Sequence, residues 1–516
     1  MSYIIAYDIG TSGNKACLYD QKLTPLFETS ESYPLYYPKP GWAEQNPEDF
    51  WDSVLTCTRT ILKESEVSPS EIAALSFTCQ MNSTIPIDQE GKPLMNCISW
   101  LDTRASPLIQ NRMKGIIKFK GASLRKTLFF KKHTGGGPGK SGKDPISHYI
   151  WMKEKEPELY QNVFKFLSVK DFIIFRCTGN AVTSKDLANT AWLKDPNTDE
   201  YSKKVLDFTN LDREKLPKIK KSPQIAGSLT SSAAQELNLP EGIPIIVASG
   251  DLTSSALGSG GIADHQIIAC LGTADWVGTH LPERKTDIPH YIGTINSAQE
   301  NYLYLSKQET GAVCLNWMVE EMYKDYLKEY GSINSALLQK LDEIVDNTEA
   351  GSKKLIFTPW MFGERSPINN SYVRGGFLNL SLEHQRAHLL RSVYEGICFN
   401  IKWSLEAIEK KLGKCDSIHL IGGAANSRVW CQILADIVNR DIQQIERPSY
   451  AGTRGAAILA LVALGKIENF SEAIPLIKVQ ETFKPNPINQ EIYRILYKEY
   501  KQIYKRNRKM FKNLNL

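Results

Sequence analysis

The chain reads as an α/β protein built from two related domains. Three features carry that expectation. Strand-like and helical segments alternate from end to end, which favours helices layered on sheets. Four strands end in glycine turns: Asp8 to Asn14, Gly250-Asp251, Gly272-Thr273 and Gly422-Gly423. The opening pattern also recurs. Ile4-Ile5-Ala6 and Ile267-Ile268-Ala269 are each followed shortly by Gly-Thr and a further apolar strand, about half a chain apart.

The first element is the apolar run Tyr3 to Ile9, which carries Asp8 near its end. Gly10-Thr11-Ser12-Gly13 follows, then the apolar Ala16-Cys17-Leu18-Tyr19. This is a β-hairpin pattern. Its tip admits two readings. The backbone N–H groups can cradle phosphate oxygens while Asp8 holds a hydrated Mg²⁺. Alternatively, the tip is an ordinary hairpin turn with an exposed Asp. Asn46-Pro47-Glu48-Asp49 starts a helix, with Asn46 as cap and Pro47 at the first position. Phe50, Val54, Cys57 and Ile61 mark its buried face. Ile72 to Phe77 is a buried strand running into Thr78-Cys79-Gln80-Met81-Asn82, a polar end suited to a ligand. From Met113 to Lys143 the chain is rich in Lys and Gly and reads as an irregular surface excursion. A phosphate-binding P-loop fails there in both registers. Thr134 stands where the first Gly belongs for Gly139-Lys140-Ser141, and Asp144 where Ser or Thr belongs after Gly142-Lys143.

Ile243 to Val247 is a second buried strand, ending in Ser249-Gly250-Asp251. By itself, Asp251 before Leu-Thr-Ser-Ser suits a helix N-cap. Ser381 to Gly413 reads as a long helix with a Ser cap and a terminal Gly. Leu389, Val393, Ile397, Ile401, Leu405, Ile408 and Leu412 form its core stripe. His384 and His388 have metal-like spacing on it, but no nearby acid completes a site, so they read as an exposed face. Ile418 to Ile421 is a third strand entering a glycine turn, with a helix from Ser427 onward. Glu491 to Leu516 reads as an amphipathic helix with a basic end, whose charge suits the helix dipole.

Composition excludes several classes. The apolar share of 42% and charged share of 23% are ordinary for a soluble protein of 516 residues. The net charge of +5 is concentrated after Tyr497, so the rest of the chain is near neutral and no polyanion-binding surface is implied. The ten cysteines have irregular spacing and no CxxC, as in a reduced, cytoplasmic protein. Asp8 interrupts the early apolar stretch, and the run Ala456 to Leu464 is too short to span a bilayer, so neither a signal peptide nor a membrane span is expected.

The four glycine turns in this order resemble the sugar kinases of the actin and hexokinase superfamily. Within it the chain is similar to the FGGY carbohydrate kinases, and among those to the xylulokinases. The further matching stretches are Gly41 to Pro47, Trp100-Leu101-Asp102-Thr103-Arg104, Val169-Lys170-Asp171-Phe172, Gly363-Glu364-Arg365-Ser366-Pro367 and Tyr394-Glu395-Gly396. Together they cover roughly residues 3 to 465.

The resemblance implies two actin-like, ribonuclease H-like domains with a nucleotide and sugar cleft between them, over 1–250 and 251–480, with a basic helical tail at 481–516. It implies an ATP- and Mg²⁺-dependent kinase of a ketopentose, with D-xylulose the expected sugar. Asp8 matches the metal-associated carboxylate, and Gly10, Thr11, Ser12 and Gly13 the γ-phosphate turn. Gly272 and Thr273 match the second phosphate turn. Gly422, Gly423, Asn426 and Ser427 match the adenosine turn, and Asn316 another nucleotide contact. Asp251 matches the catalytic base. Gln80, Met81 and Asn82 occupy the sugar loop, with Asp102 near it. Glu364 and Arg365 are expected to form a supporting ion pair. A small-molecule sugar is the expected partner, with homodimerisation allowed and no nucleic acid or membrane. Three positions depart from the pattern. Asn82 replaces the xylulokinase His, Asn379 replaces a glycine, and Ala274-Asp275-Trp276 replaces Ser-Gly in the second phosphate turn. Asn82 leaves ribulose, gluconate or a polyol as alternative substrates. The fold class also hosts non-catalytic nucleotide-binding proteins; Asp251 together with a sugar-type loop argues against that reading.

Overall fold

The computed structural model describes residues 2–116, 118–119 and 122–515. The chain divides into two compact units. Unit 1 comprises Met1–Gly258, Ile295–Asn301 and Gly452–Leu476; unit 2 comprises Ser259–Thr294, Tyr302–Ala451 and Ile477–Leu516.

Unit 1 is built on six strands: β1 (Tyr3–Ile9), β2 (Gly13–Tyr19), β3 (Pro25–Ser32), β4 (Ile72–Cys79), β5 (Ile225–Ser228) and β6 (Pro244–Ile246). Their order is β5-β6-β4-β1-β2-β3. β1, β2 and β3 form an antiparallel meander, and β4 and β6 add in parallel beside β1. Ile4, Ile5, Ala6, Tyr7 and Ile9 are all buried, as expected of a strand covered on both faces. Helix α1 (Pro47–Glu64) begins as its sequence predicts: Asn46 accepts the Glu48 N–H, and Phe50, Val54, Cys57 and Ile61 are buried. The stretch expected to be irregular contains a helix, α2 (Leu124–Thr134), capped by Ser123 and closed by a left-handed Gly135. Asp251 opens α3 (Asp251–Gly258).

In unit 2, six strands of the larger sheet repeat the scheme: β7 (Ile267–Cys270), β8 (Trp276–Leu281), β9 (Tyr302–Lys307), β10 (Ser417–Ile421), β11 (Asp441–Ile445) and β12 (Val479–Phe483). They run in the order β9-β8-β7-β10-β11-β12. β7, β8 and β9 are again an antiparallel meander, and β10 and β11 again add in parallel. The faint repeat in the sequence is therefore a repeated sheet.

The helices that position side chains here are α4 (Val313–Met322), α5 (Arg386–Leu412), α6 (Arg428–Val438), α7 (Ala451–Ala463) and α8 (Pro487–Leu514). α5 buries Val393, Ile397, Ile401, Leu405 and Ile408 as expected, but it starts at Arg386, not Ser381. Ser381 instead bonds the His384 Nδ1 in a local turn, and the Gln385 N–H donates to His388 Nδ1. His388 is buried, with Nε2 3.3 Å from the Glu349 carboxylate. The expected exposed face without a nearby acid is thus corrected: His388 belongs to the packed start of α5. α8 buries Tyr493, Leu496, Tyr497, Tyr500 and Ile503 in the core of unit 2. All ten cysteines are free. No described helix is long and apolar enough to cross a membrane.

Candidate active site

In unit 1 the turn after β1 is tightly closed. The Gly10 N–H donates to the Gly13 carbonyl at 2.9 Å, and the Tyr33 hydroxyl donates to the Gly10 carbonyl at 2.6 Å. A side chain at Gly13 would lie 2.7 Å from the Glu31 carbonyl, so glycine is required there by close approach. Asp8 faces Gly452 of α7, where a Cβ would come within 2.3 Å of its Oδ2. Its Oδ1 is buried and, among the described residues, has no hydrogen-bond partner. Burial pushes the Asp8 carboxyl above its usual range, and Lys15, its cross-strand neighbour, opposes that. A buried carboxylate oxygen without a donor is chemically suited to a hydrated cation. Among the described residues no group of three or more His, Cys, Asp or Glu could hold a metal. The chemistry of Asp8 alone, one buried carboxylate, fits a Mg²⁺ ion that keeps most of its water ligands.

The next strand, β4, runs parallel to β1 with Thr78 level with Asp8. Gln80 follows it, buried, and its N–H donates to the Ile9 carbonyl at 2.9 Å. Met81 packs on Gly250, where a Cβ would sit 2.7 Å from its Cγ. Asn82 adopts a left-handed φ of 63°, which Asn tolerates. Its Oδ1 is buried without a partner among the described residues. A small cavity of about 30 Å³ is lined by Asn82, Ser83, Tyr149, Ser168 and Asp171.

The third contribution follows β6. Thr78 donates to the Ser249 carbonyl at 2.8 Å, and Cys79 and Gly250 form a parallel bridge. Asp251 comes next, its Oδ1 accepting the Leu252 N–H at 2.7 Å. The first turn of α3 is pinned by Asp186, fully buried, which accepts from the Gly250 N–H at 2.8 Å and the Thr253 hydroxyl at 2.5 Å. Nothing in the residue pattern marked Asp186 or Gly452. Asp8, Gln80 to Asn82 and Asp251 thus come from the C-terminal ends of three neighbouring parallel strands. The outer two are two strand spacings, roughly 10 Å, apart. Open α/β sheets bind ligands at such ends.

Asp102 is placed differently. Its carboxylate accepts from the Ala43 N–H and the Arg104 N–H, both at 2.7 Å, and from Arg104 Nη2 at 2.8 Å. It is fully buried. Arg104 also bonds Glu44 at 2.6 Å and lies 3.6 Å above the Trp42 ring. These contacts tie Gly41 to Pro47 to the stretch Trp100 to Arg104.

In unit 2, the turn after β7 is fastened to α4. The Ala312 N–H donates to the Gly272 carbonyl at 2.8 Å, and the Gly311 N–H to the Thr273 carbonyl at 3.0 Å. Thr273 is exposed, as is Asn316 one turn along α4. Asp275 takes the Gly272 N–H at 3.1 Å. Burial pushes this carboxyl well above its usual range, and the nearby Glu364 adds to the shift. Gly422 has φ +102°, and a Cβ there would meet the Leu271 carbonyl at 2.2 Å. Gly423 is exposed, with its carbonyl accepting from the exposed Asn426 amide at 2.9 Å. Ser427 caps α6 through the Trp430 N–H at 3.0 Å and donates to Asp342 at 2.8 Å. The expected Glu364–Arg365 ion pair is corrected. Arg365 pairs with Glu309 at 2.8 Å. Glu364 is buried, accepts from the Glu309 and Arg365 N–H groups and the Asn400 amide, and is pushed up to about 7 by burial.

The N-terminal domain of the FGGY family of carbohydrate kinases matches residues 3–258, and its C-terminal domain matches residues 267–464. The xylulose kinase of Staphylococcus epidermidis is 28% identical over 516 residues, covering 99% of this chain and 98% of that protein. The ligand-bound xylulose kinase structure from Lactobacillus acidophilus aligns with a TM-score of 0.86 at 26% identity, covering 100% of both chains. The gluconate kinase structure from the same species aligns with a TM-score of 0.85 at 27% identity, covering 98% of each. With both domains of the family matched in order along the chain, the protein belongs to the FGGY family of carbohydrate kinases.

Proposed function

We propose that this carbohydrate kinase transfers the γ-phosphoryl group of ATP to a hydroxyl of a ketopentose, with D-xylulose as the preferred substrate. The observation that carries the reading is the convergence of Asp8, Gln80 to Asn82 and Asp251 on adjacent strand ends. Phosphoryl transfer has a loose transition state, so catalysis rests on positioning and on neutralising charge. In this reading Asp251 accepts the proton of the attacking hydroxyl, a role typically worth about 10²–10⁴-fold. The first turn of α3, pinned by Asp186, keeps that carboxylate rigid. The Gly10 to Gly13 turn faces the γ-phosphate. Mg²⁺ held by Asp8 would neutralise phosphate charge during transfer. Nucleotide contacts are assigned to Gly272, Thr273, Asn316, Gly422, Gly423 and Asn426. The Ser427 hydroxyl already serves α6 and Asp342, so Ser427 is assigned a backbone contact only. Asp102, whose carboxylate is engaged by Arg104 and Ala43, is assigned a supporting place near the sugar. Ten free thiols fit a reducing, cytoplasmic setting.

Asn82 favours a second reading. Its Oδ1 is buried without a partner among the described residues, and Asn82 lines the small cavity. An amide there offers a donor and an acceptor but no charge, unlike the xylulokinase His. Gluconate, ribulose or a polyol would then be the substrate. Coupled ADP release measured over a panel of ketopentoses, hexuloses, polyols and aldonates separates the two. Xylulose is expected to give the highest kcat/KM, with Asp251→Ala lowering turnover at least about 100-fold. Faster turnover of ribulose, an aldonate or a polyol selects the second reading, and full turnover by Asp251→Ala removes the base.

A further inference from the structure

Gln45 belongs to the stretch Gly41 to Pro47, and it is fully buried. Its Nε2 donates to the Thr11 carbonyl at 2.8 Å. Its Oε1 accepts from Gln80 Nε2 at 2.7 Å. Gln80 Oε1 in turn accepts from the Thr11 hydroxyl at 3.1 Å, closing a ring. The Thr11 Oγ1 also accepts from the Trp100 indole N–H at 2.9 Å. The polarity of this ring is fixed at both ends, because a carbonyl can only accept and an indole N–H can only donate. Each amide therefore has one orientation. Thr11 lies in the turn after Asp8, and Gln80 opens the loop that carries Met81 and Asn82.

We propose that Gln45 is a positioning residue that couples the sugar loop to the phosphate turn, so that a ligand at one organises the other. The proposal rests on the kinase reading above for the roles of the two loops. The physical reason is that a buried ring of neutral hydrogen bonds is close to all-or-none. Opening it at Gln45 leaves the Thr11 carbonyl and the Gln80 amide without their partners, which is more costly than the bonds themselves. A sugar that orders Gln80 to Asn82 thereby sets Thr11 and its neighbours, and by linkage the nucleotide affects the sugar equally.

The test is the binding of a non-hydrolysable ATP analogue with Mg²⁺, with and without the sugar that the substrate panel identifies. In the wild-type chain the sugar should tighten the analogue at least about fivefold. Gln45→Leu should bring that factor close to one, leave each ligand's separate affinity within about threefold, and lower kcat/KM by about 10- to 100-fold. Gln45→Glu keeps the shape and the arm to Gln80 but sets an oxygen against the Thr11 carbonyl, so an intermediate factor is expected. Thr11→Val opens the same ring, so its effect and that of Gln45→Leu on log kcat/KM should be less than additive. Wild-type coupling in a folded Gln45→Leu protein, or additive effects, overturns the role. Should Gln45→Leu not fold, Gln45→Glu decides, with undiminished coupling as the refuting result. A wild-type chain that turns over nothing on the panel removes the kinase reading and this role with it. An active wild type whose coupling survives both Gln45 variants removes the role alone.

Discussion

In unit 1 the glycine turn follows Asp8; in unit 2 it contains Asp275. Both carboxyls are buried, and both nestle against a glycine: a Cβ at Gly452 would come within 2.3 Å of Asp8, and one at Gly311 within 2.1 Å of Asp275. Each keeps one oxygen without a partner among the described residues. Their electrostatic settings differ. Lys15 lies across the hairpin from Asp8 and favours its ionised form. Asp275 has the Glu364 carboxyl near it, and it spans its own turn by taking the Gly272 N–H. The same parts therefore sit in opposite electrostatic settings, with a lysine beside the carboxyl in one unit and a second carboxyl beside it in the other. With one oxygen on the Gly272 N–H, the Asp275 carboxyl braces its own turn.

The strongest way to break that comparison is to replace each carboxyl by an amide of the same shape. Asp8→Asn should lower kcat by about 10²- to 10³-fold, the scale of losing one preorganised electrostatic group. Asp275→Asn keeps an oxygen for the Gly272 N–H and should stay within a few-fold of wild type. Steady-state kinetics on both variants with the identified sugar decides. Equal losses would mean that Asp275 is also used as an anion.

How much of this was legible depended on the range of the interaction. The glycine turns, Asp8, the cap at Asn46 and the buried stripe of α5 all follow from neighbours within a few residues, where spacing and turn chemistry act. The partners of Gln45, Gln80 and Thr11 lie 34 to 69 residues apart, and only the folded sheet brings them together. Arg365 departs from its expected pairing for the same reason. Its sequence neighbour Glu364 points inward to Asn400, while Glu309 arrives from a distant segment. The start of α5 lies later than its Ser suggests because Ser381 closes a local turn with His384 before the helix begins. The helix Leu124–Thr134 did carry a signal, a Ser cap and a terminal Gly, hidden by the Lys- and Gly-rich composition around it.

Buried groups of opposite sign also set the response to acid. His148 in unit 1 and His280 in unit 2 are both lowered to about 4 by burial. Their neutral forms contribute stability that is present above the unfolded value of about 6.5 and lost as pH falls toward 4, about 2 kcal/mol each by pH 5. Glu364 in unit 2 has the opposite sign. Raised to about 7, it contributes stability that is full below about 4.5 and lost as pH rises through 7. Between pH 7 and 4.5 the Glu364 term therefore offsets part of the histidine loss. Melting temperature measured against pH should show His148→Gln flattening the acid-side fall and Glu364→Gln steepening it. Parallel curves for wild type and Glu364→Gln would mean that Glu364 titrates normally.

The smallest effect is expected at the two threonines that made the repeat visible. The Thr11 hydroxyl is engaged twice, donating to Gln80 and accepting from Trp100. Thr273 is exposed, and what holds its turn is backbone: its own carbonyl accepts the Gly311 N–H, and the Gly272 carbonyl accepts the Ala312 N–H. Thr273→Val removes a hydroxyl from that turn without touching either bond. Its melting temperature should match wild type, and KM for ATP should rise no more than a few-fold, the net value of about one neutral hydrogen bond. A rise of 100-fold or more would mean that the Thr273 hydroxyl, and not the backbone of its turn, carries the nucleotide contact. In that case unit 2 would rely on a side chain where unit 1 relies on its turn, and the resemblance between the two turns would end at the backbone.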